Sequence, residues 1–144
     1  MTENEILKNP RVIVVQKLYG HYTNKESEIV FPKHRYKKFI KDVVTGTIER
    51  KELIKELIDK ELKNDINEYK TEILIKIMIM AAIYEFMFMH KTPVKVVINE
   101  YLKVSDFFLE SSKKSFLNAI LDKASKVSRI NKNWMPIMHI FVKV

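Results

Sequence analysis

The sequence predicts an all-α fold, a compact single-domain helical bundle around one central apolar helix. The length of 144 residues is about that of one domain. Only 2 Gly and 4 Pro interrupt a chain rich in Ile, Leu, Lys and Glu, which favours helices. A hydrophobic fraction of 47% with 31% charged residues is typical of a globular protein. The apolar pattern predicts six helices.

The N-terminal third predicts two of these helices. The first covers 6–22, where four side chains recur on one face at helical spacing: Val12, Val15, Tyr19 and Tyr22. After a polar loop, Pro32 opens the second helix, which covers 33–45 and ends at Gly46. Proline at the start of a helix and glycine just after its end are the expected pair of signals.

A third helix is predicted over 47–63, ending at the Asn64–Asp65 break. Its apolar side chains are expected to be buried: Ile48, Leu53, Ile54, Ile58 and Leu62. The opposite face carries charged pairs four residues apart, as on a solvated helix.

The fourth predicted helix, near 68–89, is the most apolar stretch. Only Lys76 and Glu85 are charged among its last 17 residues. A membrane span is the alternative, but each charge would cost about 2.5–3.5 kcal/mol near the bilayer centre. A central helix surrounded by the other five explains the same run without that cost, and we expect no membrane contact.

Two further helices and a tail complete the chain. Thr92-Pro93 predicts the start of a helix over 93–108, and Ser111 or Ser112 that of a helix reaching about 129. Four residues of this last helix are expected to face inward: Phe116, Ile120, Ala124 and Val127. The pattern then changes, so we expect a domain over 1–130 and an extended or irregular tail over 131–144.

The charge predicts an anionic partner. A net charge of +8 and a pI near 9.5 make nucleic acid a better candidate than a membrane surface. The excess lies at the two ends of the chain, because 1–46 carries +4, 47–72 carries −2 and 73–144 carries +6.

The sequence lacks the residues that several classes of functional site require. With 0 Cys there is no disulfide, thiolate zinc site or cysteine nucleophile, and two glycines cannot form a phosphate-binding loop. The 4 His lack metal-ligand spacing, and Glu85 and Glu100 have no nearby acid–base partner. We therefore expect no enzyme, no cofactor and no metal. The first residues do not resemble a signal peptide, so a cytoplasmic protein is expected.

Two groups of cations are candidate binding residues. Lys8 and Arg11 fall on one face of the first predicted helix, with Gln16 further along. Lys113 and Lys114 open the last one, where lysine opposes the helix dipole at a cost of about 0.3–1 kcal/mol. Cations beside free backbone N–H groups suit a phosphate. Simple solvated lysines are the alternative.

Three segments resemble the NusB family. Arg11 followed by Val15-Gln-Lys-Leu-Tyr19 is similar to the family's R…VQALY start. Tyr84-Glu-Phe86 with Pro93 and Lys95-Val-Val-Ile-Asn-Glu100 resembles YEL…P…VAINE, and Lys114-Ser-Phe-Leu-Asn-Ala-Ile-Leu-Asp122 resembles KFVNGVLD. Their order and spacing match across residues 8–126.

The resemblance implies a NusB-like bundle of about six to seven helices that binds RNA. Such proteins pair with ribosomal protein NusE on the single-stranded boxA element of nascent ribosomal RNA transcripts, within the RNA polymerase antitermination complex. The RNA-binding candidates are then Lys8, Arg11, Gln16, Lys113, Lys114 and Asn118. Tyr19 and Glu72 are candidates for the partner surface.

The sequence also departs from the family. The N-terminal segment usually holds an arginine cluster, whereas here Arg11 stands with Lys8. Lysine lacks the planar fork of arginine, so base readout is expected to be weaker. A helical protein-interaction or homodimeric module with weak or lost RNA binding is therefore the alternative function.

Overall fold

The computed structural model describes residues 2–66 and 71–130, except the side chains of the last two. These residues form seven α-helices and one 3-10 turn, with no strand among them. The helices are α1 (Glu3–Lys8), α2 (Pro10–Thr23), α3 (Lys37–Glu49), α4 (Lys51–Glu61), α5 (Ile73–Phe88), α6 (Val94–Phe108) and α7 (Lys114–Ile130), and the 3-10 turn is Ser111–Lys113. The prediction of an all-α, single-domain bundle is confirmed.

Helix α5 forms the centre of the bundle, as predicted. It packs against α2, α3, α4, α6 and α7. Ten of its residues are buried, and they lie on every side of the helix rather than along one stripe. No helix within the described ranges is long and apolar enough to cross a membrane. The apolar run therefore serves the protein core.

The first predicted helix is in fact two helices, separated at Asn9-Pro10. Proline has no N–H to donate and clashes with the preceding turn, so one helix cannot continue through it. The N–H of Asn9 donates to the Ile6 carbonyl at 3.1 Å and closes α1. The Asn9 side chain then accepts the Arg11 N–H at 3.0 Å and caps the start of α2.

Gly46 lies inside α3 rather than after its end, so the boundary predicted there is wrong. The break between α3 and α4 falls at Arg50. Gly46 is buried, and a methyl group on its α-carbon would overlap the ring of Tyr84 on α5. The glycine therefore allows α3 and α5 to approach closely.

We expect Gly46→Ala to lower the free energy of unfolding by about 1–3 kcal/mol, the usual cost of overpacking. Gly20→Ala is the matched control, because Gly20 is also helical but a methyl group on its α-carbon would meet no atom within 4 Å. It should raise stability by about 0.5–1 kcal/mol through helix propensity. Urea denaturation of both variants tests this, and equal effects would contradict the close packing.

The start of the last helix also differs from the prediction. A 3-10 turn precedes α7, and Phe116 in its first turn is 40% exposed, so its predicted inward position is wrong. Ile120 and Ala124 are buried as expected. The predicted tail, 131–144, and the first residues of the fourth predicted helix lie outside the described residues.

Candidate functional site

The starts of α5 and α7 meet at an ion pair. Glu72 precedes the first turn of α5, and the Lys113 ammonium donates a hydrogen bond to its Oε1. Both side chains are between one third and one half exposed. The exposed ring of Phe116 lines the same open pocket. The structure thus brings a predicted RNA-binding residue into contact with a predicted partner-binding residue.

Lys114 and Asn118 extend this surface along α7. They lie four residues apart and therefore share one face of the helix. The Lys114 ammonium pairs with Asp106 of α6, with 3.1 Å between Nζ and Oδ1. Both residues of the pair are about half exposed, and Asn118 is exposed. The side chains of Lys113, Lys114 and Asn118 are thus accessible from solvent.

The N-terminal candidates lie on α1 and α2. Lys8 is exposed in the last turn of α1, where its positive charge complements the helix dipole. Gln16 and Tyr19 are exposed on α2, and Tyr19 keeps 42% of its surface accessible. Gln16 borders a shallow pocket formed with the loop that follows α2.

Arg11 lies in the protein core rather than on the surface. Only 8% of the residue is exposed. Its guanidinium donates two hydrogen bonds to the Glu85 carboxylate, at 3.0 Å from Nε to Oε2 and 2.6 Å from Nη2 to Oε1. The Tyr101 hydroxyl donates to the same Oε2 at 2.5 Å. Phe39 covers the guanidinium, with 4.8 Å from its ring centre to Cζ of Arg11.

This buried triad connects α2, α5 and α6. Burial lowers the pKa of Arg11, but the hydrogen bond and charge of Glu85 outweigh it and raise that pKa above its ordinary value. Burial, followed by the charge of Glu85, raises the pKa of Tyr101 well above its ordinary range, so the phenol remains a donor at neutral pH. Glu85, which has no partner nearby in the sequence, has two in the fold. Arg11 and Lys8 therefore do not share an exposed face.

A further group of cations, absent from the sequence-based candidates, lies before and within the first turns of α3. Five lie within nine residues at the start of α3, and all are exposed: Lys33, Arg35, Lys37, Lys38 and Lys41. With exposed Tyr36 among them, we call residues 33–41 the α3 basic surface. The sequence signal for this group is the absence of any Asp or Glu from 29 to 41. The net charge of the longer segment 1–46 does not reveal it.

The chemistry of these surfaces is ion pairing and hydrogen bonding. Among residues 2–66 and 71–130, no three His, Asp or Glu side chains come together as metal ligands. Exposed ammonium groups and an exposed amide suit the phosphates and bases of a nucleic acid.

Comparison with known proteins gives a consistent result. The profile of the NusB family matches residues 8–126. Transcription antitermination protein NusB of Rickettsia felis is 30% identical over 121 residues, covering 78% of this chain and 75% of that protein. The protein of the same name from Rickettsia akari is 36% identical over 86 residues, covering 60% of this chain and 55% of that protein.

A solved structure shares the fold. NusB of T. maritima matches with a TM-score of 0.71 over 83% of this chain and 89% of that one. Its sequence is 20% identical, so this likeness concerns the fold alone.

Proposed function

Because the chain belongs to the NusB family of non-enzymatic factors, we propose that it is an RNA-binding transcription antitermination factor. In this proposal it acts with ribosomal protein NusE on boxA-like single-stranded RNA of nascent ribosomal RNA transcripts. It is then part of the RNA polymerase antitermination complex in the bacterial cytoplasm. The bacterial relatives named above and the match over 8–126 support this role.

The observation that carries the proposal is the accessible lysine pair at the start of α7. Lys113 and Lys114 are held by carboxylates that are themselves about half exposed. Exposed ion pairs contribute only about 0–1 kcal/mol, so a phosphate can replace either carboxylate at little cost. Asn118 on the same face adds an amide that can hydrogen-bond a base. Lys8 and Gln16 are the N-terminal candidates for the same role.

Arg11 is removed from the proposed RNA contacts. Its guanidinium is engaged by Glu85, and withdrawing it would leave a buried carboxylate without its charged partner. We assign Arg11 to the core. The domain that binds RNA is proposed to cover 1–130, with 131–144 as a separate tail.

The partner surface is proposed to include Tyr19 and Glu72. Tyr19 presents an exposed aromatic ring, a residue type enriched at protein interfaces. Glu72 is paired with Lys113, so the two proposed surfaces adjoin at this ion pair. A phosphate that attracts Lys113 would leave the Glu72 carboxylate available to a basic group of the partner.

Lys113→Gln/Lys114→Gln tests the RNA surface. We expect affinity for a boxA-like RNA oligonucleotide to fall at least about tenfold, or 1.4 kcal/mol. The slope of log affinity against log salt should flatten by about 0.7 for each phosphate that is no longer bound. Fluorescence anisotropy at several salt concentrations measures both. The melting temperature should change little, because the two ion pairs that the variant removes are exposed.

Lys55→Gln/Lys63→Gln is the control, since it removes the same charge from exposed positions in and just after α4. It should leave RNA affinity near the wild-type value. Parallel salt lines for the α7 variant and wild type, without loss of affinity, would show that Lys113 and Lys114 are merely solvated.

The second candidate is a protein-interaction or homodimeric module with weak or lost RNA binding. The burial of Arg11 favours it, because an arginine expected in the N-terminal RNA-binding segment belongs to the core. RNA affinity measured with and without NusE separates the candidates. Absence of RNA binding in both mixtures, with a stable complex or dimer, would favour this second function.

A further inference from the structure

We propose that the α3 basic surface is a second contact for single-stranded RNA, where a base stacks on Tyr36 and the neighbouring cations hold the phosphates. This inference rests on the proposed function and extends it to a surface on a different helix. Single-stranded RNA is recognised by this combination, because every base has an aromatic face and every nucleotide a negative charge.

The charge of the surface is largely uncompensated. Within the described part of the chain, its one ion pair joins Lys38 to Asp42, with 3.8 Å between Nζ and Oδ2. The Lys38 side chain is 94% exposed even in this pair. The other four cations have no carboxylate within ion-pair distance among the described residues. A phosphate backbone thus meets cations that are already accessible.

The charge does not serve the stability of α3. Lys37 and Lys38 occupy its first turn, which holds no acidic residue. Tyr36 stands at the N-cap and makes no side-chain capping bond. Cations at this end of a helix oppose the dipole, and Ser, Thr, Asp or Asn would cap it better. The residues at this end of α3 therefore favour the binding of an anionic ligand over the stability of the helix.

Tyr36 supplies the stacking platform. Tyr36 is 48% exposed, although an aromatic ring is well suited to the core. The Arg35 guanidinium lies 5.5 Å from the ring centre, and the ring of His34 lies 6.0 Å away. An aromatic ring flanked by a guanidinium offers both a stacking surface and a charge for the adjacent phosphate.

His34 joins this surface to Lys8. Its Nδ1 accepts the Tyr36 N–H at 2.9 Å, which leaves Nε2 as the donor in the neutral ring. Nε2 then donates to the carbonyls of Leu7 and Lys8, each at 3.1 Å. One imidazole therefore fixes the start of α3 against the end of α1. An RNA strand that contacts Lys8 has the α3 basic surface directly beside it.

The experiment compares two RNA probes, a boxA-like oligonucleotide and the same element extended by about ten uridines at each end. Each extension is about as long as a typical binding site for single-stranded nucleic acid. Wild type should bind the extended probe about fivefold or more tightly, because the added nucleotides reach the α3 basic surface. Tyr36→Ser should abolish this gain without changing the salt slope, since it removes stacking and no charge. Serine is a better N-cap, so the melting temperature should stay equal or rise.

Two further variants complete the comparison. Tyr36→Phe keeps the ring and should keep the gain. Arg35→Gln/Lys37→Gln should lose the gain and also flatten the salt slope for the extended probe, by about 0.7 for each phosphate that is no longer bound. Lys55→Gln/Lys63→Gln, which removes the same charge elsewhere, should behave as wild type.

The outcomes separate this inference from the proposed function. If wild type binds neither probe, the proposed function fails and this inference fails with it. If wild type binds and Lys113→Gln/Lys114→Gln weakens binding, but Tyr36→Ser and Arg35→Gln/Lys37→Gln retain wild-type affinity for the extended probe, the inference alone is overturned. If these two variants lose NusE binding and keep their RNA affinity, the inference is also overturned, and the surface is assigned to a protein partner.

Discussion

Replacing Glu85 by alanine should lower the free energy of unfolding by about 3–5 kcal/mol. The carboxylate is fully buried and receives hydrogen bonds from both Arg11 and Tyr101. Without it, a guanidinium remains in the core with no counter-charge, which is the costly way to break a buried pair. The loss is a large part of the about 5–15 kcal/mol that stabilises a typical domain. Urea denaturation at neutral pH measures it.

The control removes the whole polar triad at once. Arg11→Met/Glu85→Leu/Tyr101→Phe leaves no buried charge and no buried hydroxyl at this position, so it should be less destabilised than Glu85→Ala alone. Tyr101→Phe by itself should cost about 1.5–3 kcal/mol, since it removes one hydrogen bond to a charged group. A Glu85→Ala variant that unfolds at the wild-type urea concentration would show that Arg11 is not held in the core.

Introducing a charge into the middle of α5 should unfold the protein. Ile83 is 0% exposed, and Ile83→Asp buries a carboxylate among apolar side chains. Removal of the buried apolar side chain alone costs about 2–5 kcal/mol, and the unpaired charge adds to this cost. The sum approaches the whole stability of a domain. Circular dichroism should show a loss of helical signal at 25 °C.

The same substitution at the start of the same helix provides the control. Ile73 is 42% exposed and lies in the first turn of α5, where an acidic residue suits the dipole. Ile73→Asp should therefore retain the wild-type melting curve to within a few degrees. If Ile83→Asp also melts like wild type, α5 is not the centre of the core.

Local sequence signals predicted the helices well but not their ends. The apolar run of α5 identified the central helix because no other stretch is so uniformly hydrophobic. Pro10 marks the break between α1 and α2, but the apolar residues on either side of it continue the helical spacing and so favour one helix in the sequence. Gly46 resembles a helix end in the sequence, whereas the reason for a glycine here is the ring of Tyr84, which lies 38 residues away in the chain. Such a reason has no local signature.

The candidate surfaces show the same limit. Arg11 matches the family motif and, as a cation, is expected at the surface, but it is buried against Glu85, which is 74 residues distant and meets it only in the fold. Lys113 and Lys114 could be located from their place at the start of a helix, although their carboxylate partners on other elements could not. The cations at 33–41 are evident from the sequence alone when charge is counted over a shorter segment.

Because the N-terminal segment is divided at Asn9-Pro10, α1 can open while α2 stays folded. Helix α1 has six residues, no fully buried side chain and only Ile6 packed partly against the core. A helix so short is marginal on its own, and its contacts with His34 are two hydrogen bonds to exposed carbonyls. Detaching α1 therefore exposes little apolar surface, and its amides can exchange with solvent while the triad holds α2 in place. Lys8 thus lies on a helix that can open at little cost, whereas Arg11, three residues later, is anchored in the core by Glu85.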